Sequence, residues 1–119
     1  MHTETQIPEV SKIIDAADRR TAIRKQLESL KASSLQKLVT HKEGGVFTID
    51  QSLIGLVAAL STKSEEFAIL DDNNLPIIIR DGKHFYKDIL AKYQEVVNQY
   101  AVDYNKIRTS KLSKIYGDE

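Results

Sequence analysis

Along residues 82–112 apolar and aromatic side chains return every three or four positions. Tyr86, Leu90, Tyr93, Val97, Tyr100, Tyr104 and Ile107 are separated by 4, 3, 4, 3, 4 and 3 residues. That spacing is a heptad seam, and it predicts a helix from about Gly82 to Leu112, the longest of the chain, capped at its start by Asp81. Phe85, Ile89 and Val96 widen the stripe. The tyrosines belong to a packing surface, with hydroxyls able to reach its polar edge. A thinner stripe, Ile13, Ala16, Ile23, Leu27 and Leu30, predicts a first helix over about 8–34. Arg20 stands where one more apolar residue would fall. Pro8 suits the first turn, where its missing N–H costs nothing, and Asp15 is spaced to pair with Arg19 along the surface.

Between these helices the pattern changes. "TIDQSLIGLVAAL" predicts a short helix over about 50–62, capped by a Thr48–Gln51 capping box or by Asp50. It is apolar nearly all round, as a helix inside a core would be. Gly55 costs it about 1 kcal/mol against alanine unless the site needs close packing. "FAILDDNNLPIIIR" reads as a hairpin over about 66–80, with strands Phe67–Leu70 and Leu75–Arg80 and turn residues Asp71, Asp72, Asn73 and Asn74. Pro76 cannot donate to a ladder, which places the second strand at an edge. "KLVTHKEGGVFTID" fits either a hairpin turning at Gly44-Gly45 or a helix end followed by a loop. The expected fold is one α+β domain over 1–119, mainly helical, with two long helices flanking a short buried helix and a β-hairpin.

Composition narrows the function classes. The 119 residues are 41 % hydrophobic and 29 % charged, with 17 basic side chains balancing 17 acidic ones. No global field draws the chain to nucleic acid or an acidic membrane. Without cysteine there is no disulfide, thiolate metal site or cysteine nucleophile, which suits a reducing compartment. The longest apolar run, "LIGLVAAL", is far short of the ~20 residues that cross a bilayer. "MHTETQIPEV" has neither the basic start nor the apolar stretch of a signal peptide.

Candidate chemistry is sparse. The "DDNN" carboxylates and amides are of the type calcium takes, but the turn is too short for a twelve-residue cradle and lacks its glycine and closing glutamate. His2, His41 and His84 are never three or four residues apart, so no helical pair grips zinc. Glu65 and Glu66 precede a strand and point to opposite faces, against shared acid–base work. No phosphate-cradling or nucleophile motif occurs. The expectation is a protein that is not an enzyme, with no catalytic residue, metal, cofactor or small-molecule substrate. The most suggestive charges are Lys106, Arg108, Lys111 and Lys114 near the C-terminus and Arg19, Arg20, Arg24 and Lys25 on the first helix. These would contact phosphates in a nucleic-acid-binding accessory factor. They equally suit solvated helix surface.

The "LDDNN.P" turn, the following "I.IRD" and the "Y.E..N.Y...Y.K.R.S" helix, over roughly 66–111, resemble small proteins encoded by tailed bacteriophages of the T4-like group. The resemblance implies a viral protein used in the host cytoplasm or the virion, and carries no functional residues with it. Both long helices bear apolar lines that the small centre is too short to cover, and uncovered lines of that kind mark partner surfaces. The leading expectation is therefore an assembly or interaction protein. It would form a homo-oligomer, or dock a partner protein, through Tyr86, Leu90, Tyr93, Val97, Tyr100, Tyr104 and Ile107. Pairing of the first and last helices within one chain explains the same stripe and would leave a monomer.

Overall fold

The computed structural model describes the backbone of residues 8–116 and the side-chain surroundings of residues 15–109. Seven elements follow in order: α1 (Pro8–Gln36), β1 (Val39–Lys42), β2 (Gly45–Thr48), α2 (Gln51–Lys63), β3 (Phe67–Leu70), β4 (Pro76–Ile79) and α3 (Gly82–Tyr116). The fold is α+β and mainly helical, with two antiparallel two-stranded hairpins, β1–β2 and β3–β4. The chain divides into two compact units. Residues Ser33–Gln99 form a mixed unit; the segments up to Ala32 and from Tyr100 form a helical unit.

The stretch left open between hairpin and loop is a hairpin. Its turn falls one residue earlier than glycine content suggests, at Glu43 (φ 52°) and Gly44 (φ 84°). Positive φ at both central residues is the tight-turn geometry that matches strand twist, and it leaves Gly45 inside β2. There Gly45 serves packing, because a Cβ would come within 2.6 Å of the Ile77 side chain. Gly82, at the start of α3, plays the same part: a Cβ there would overlap the Phe67 ring and sit 2.9 Å from Ser61 Oγ.

In the mixed unit the buried cluster is Leu38, Phe47, Ile49, Val57, Ile69, Ile79, Phe85, Ile89 and Val96. Phe47 meets Phe85 edge to face at 5.6 Å between ring centroids, a preferred aromatic arrangement. Each hairpin alternates. Ile69 and Ile79 turn inward, whereas Leu70, Leu75 and Ile78 stay exposed. Pro76 pairs with Leu70 and has no protein strand beyond it, as its missing N–H requires.

Caps follow side-chain chemistry. Asp50 is the N-cap of α2 and accepts from Leu53 N–H at 2.8 Å. The Thr48 hydroxyl is drawn away to Asp72, at 2.7 Å. Asp81 accepts from His84 N–H at 3.1 Å at the head of α3. All-round burial of α2 is not what the structure shows. Val57 is buried and Leu53, Ile54 and Leu60 pack half-buried against the core, but Leu56 is exposed, and Gly55 has nothing near the place a Cβ would take. The mixed unit covers one side of this helix only.

Candidate interaction surfaces

α3 is unbroken from Gly82 to Tyr116, so its seam is continuous. The residues it buries are not the heptad set. Phe85, Ile89 and Val96 are the buried line, whereas Tyr86, Leu90, Tyr93, Val97, Tyr100, Tyr104 and Ile107 are all half-buried. A helix presents two neighbouring stripes one residue apart, and here the narrower one faces the core. The tyrosine stripe flanks it. Tyr86 and Tyr93 lean on the mixed-unit core, and Tyr93 Oη accepts from Gln51 Nε2 at 3.1 Å. This is the polar-edge contact expected of a seam tyrosine.

In the helical unit, among the described residues, Ile23 is the single buried hydrophobic side chain. Ala16, Leu27 and Leu30 of α1 and Tyr100, Tyr104 and Ile107 of α3 are half-buried. Tyr100 and Tyr104 touch edge to face at 6.1 Å, and Arg108 lies 5.8 Å above the Tyr104 ring, within cation–π range. Val102 is exposed beside them. The basic candidates Arg19, Arg20, Arg24, Lys25, Lys106 and Arg108 are all exposed and belong to this unit. The side chains of Lys111 and Lys114 lie outside the described residues, as does His2.

The acidic turn is structural. Asp71 is buried, and its carboxylate accepts from Val46 N–H at 3.0 Å through Oδ2 and from Asn73 and Leu75 N–H at 2.9 Å through Oδ1. Asp72 accepts from Thr48 N–H at 3.1 Å, and its own N–H donates to the Val46 carbonyl at 2.8 Å. The two aspartates thus bond the outer edge of β2 to the turn of the second hairpin. Donation from Val46, then from Leu75, holds the Asp71 carboxyl below the ordinary aspartate value against the opposing effect of burial, with Asn73 helping. No sequence signal announces this pairing over 25 positions.

Among the described residues no acid–histidine cluster is placed to hold a metal ion. His84 is exposed, with Nε2 3.2 Å from Asp88 one turn on. Glu66 approaches Arg80 at 3.5 Å, both exposed. A groove of about 500 Å³ runs beside β1, lined by Val39, Thr40, His41, Lys42 and Ile49 and by α3 through Phe85, Asp88, Ile89, Ala91, Lys92 and Glu95. No sequence pattern marks this groove, because it depends on how β1 lies against α3. No helix among the described residues is long and apolar enough to cross a membrane. No family model, curated protein or solved structure matches the chain.

Proposed function

We propose that this chain is a non-enzymatic assembly protein that self-associates through the half-covered apolar line of its helical unit, and that it is phage-encoded, acting in the host cytoplasm or the virion. One observation carries the reading. In the helical unit every seam residue of α3, Tyr100, Tyr104 and Ile107, is half-buried, and Ile23 is the single buried hydrophobic side chain among that unit's described residues. Two helices cover only one side of each other's stripe. A second copy bringing two more helices would close the remainder as a four-helix arrangement. Each leucine- or tyrosine-sized group so covered contributes up to about 1.5–3 kcal/mol, so a few suffice.

The test is solution mass by light scattering across a concentration series. Self-association through the seam predicts a mass that rises with concentration and is insensitive to salt, and that at each concentration is lower in an Ile107→Asp variant than in the unaltered chain. A monomer mass at the highest concentration, for the unaltered chain, overturns the reading and leaves pairing within one chain.

A second reading is favoured by the exposure of Arg19, Arg20, Arg24, Lys25, Lys106 and Arg108 in one unit. It is a nucleic-acid-binding accessory factor that neutralises phosphates with these groups. Binding of a DNA duplex would then weaken steeply as salt rises, and glutamine at Lys106, Arg108, Lys111 and Lys114 would abolish it. No binding at low salt removes this reading.

A further inference from the structure

β1 presents an edge that no other described strand pairs. The bond from Ile49 N–H to the Leu38 carbonyl sets the alternation of the ladder. Thr40 and Lys42 therefore exchange bonds with β2, and the N–H and C=O of Val39 and His41 point away from it. On the opposite edge of the hairpin the outward N–H of Val46 is taken by Asp71, and the Val46 C=O and the Thr48 N–H by Asp72. Those of Val39 and His41 have no such partner among the described residues. The groove beside α3 touches all four β1 residues and none of residues 45–48, so it opens along this unpaired edge.

We propose that the edge is a docking site for a second copy of the chain, β1 against β1, antiparallel about a two-fold axis at Thr40. In that register Val39 lies opposite His41 of the other copy, and each such pair exchanges two N–H···O bonds. The two pairs use every outward group of the edge and leave none over, giving a four-stranded sheet across two protomers. Charge agrees. The groove carries Lys42 and Lys92 against Asp88 and Glu95. A two-fold contact sets a wall against its own image, so a wall of one sign would repel itself, whereas this one carries no net charge and can pair across the axis. For the same reason it gives no long-range pull on an acidic or a basic peptide. No proline or bulge interrupts β1, devices that otherwise keep edges apart.

The absence of cysteine makes the test clean. The two-fold places Thr40 opposite its own copy in a non-hydrogen-bonded pair with Cα atoms about 4.5 Å apart, inside disulfide range. Under mild oxidation Thr40→Cys should form a covalent dimer at least about tenfold faster than Ser52→Cys, exposed on α2, because the contact raises the local thiol concentration. Equal rates, or a Thr40→Cys chain that stays monomeric, overturn the proposal and leave the edge to a foreign segment or to none. A variant that keeps the wild-type thiol-free chain is Val39→Pro. It removes an N–H that no described residue uses and, added to Ile107→Asp so that the seam forms no dimers, should abolish the remaining edge dimers with the far-ultraviolet spectrum unchanged; an unchanged dimer fraction overturns the proposal. Adding Ile107→Asp to Thr40→Cys separates this contact from the helical seam. Cross-linking that survives assigns it to the edge, and cross-linking that disappears removes that assignment.

Discussion

The mixed unit and the helical unit use the same apolar spacing and reach different ends. In residues 33–99 elements meet from several directions. Phe85, Ile89 and Val96 of α3 share one buried cluster with Phe47, Ile69 and Ile79 of the two hairpins, with Ile49 just past the first hairpin, and with Val57 of α2. Two glycines admit neighbours where a Cβ would collide, and two aspartates tie one hairpin to the other. In the helical unit the 3–4 spacing continues through Tyr100, Tyr104 and Ile107, yet these side chains remain half in water. Periodicity tells which face of a helix is apolar. How deeply that face is buried depends on the number of layers set against it.

The contrast is broken most severely at Phe85. Phe85→Ala should lower stability by about 3–5 kcal/mol, read by urea titration, because the cavity opens between both hairpins and α3. Asp71→Asn should cost less. It keeps an acceptor for one side of the turn but sets an amide N–H₂ group against the Val46 N–H, and the loss should show as a lower urea midpoint. Acidification tests the same group. Its carboxyl is held below the ordinary value of 3.8, so its contribution is complete above that pH and is lost as the pH falls through the lower native value. In the Asp71→Asn protein this part of the acid sensitivity should disappear.

Leu27→Ala, on the half-covered line of α1, should cost only about 1 kcal/mol, about half the value of full burial. Amide exchange should speed up in the helical unit and not at residues 46–48. If residues 46–48 respond equally, the two units are one cooperative body. The smallest effect has the opposite sign. With open space at its Cβ position, Gly55→Ala should raise stability by up to about 1 kcal/mol, measured as a higher Tm.

Much of this was legible in the residues. α3, α2 and β3–β4 follow from runs with one dominant period and from aspartates at their ends, Asp50 and Asp81, whose carboxylates accept backbone N–H bonds. The first hairpin stayed ambiguous for a specific reason. Its turn holds Glu43 with positive φ, a conformation glutamate side chains do not advertise, while Gly45, the apparent turn residue, is needed for contact with Ile77. The tyrosine line follows one helix face, but two adjacent stripes satisfy the same spacing, and only tertiary packing separates Phe85, Ile89 and Val96 from it. The β1 groove and the Asp71–Val46 bond were out of reach, since both join positions distant in the chain.

Bonding between the hairpins has a kinetic corollary. The amides of Val46 and Thr48 are closed by carboxylates 25 and 24 positions further on. A nascent first hairpin therefore keeps them exposed to solvent until the later turn arrives. In the finished molecule these two amides open only when the hairpins part, so deuterium should enter Val46 and Thr48 at a common rate, as one foldon.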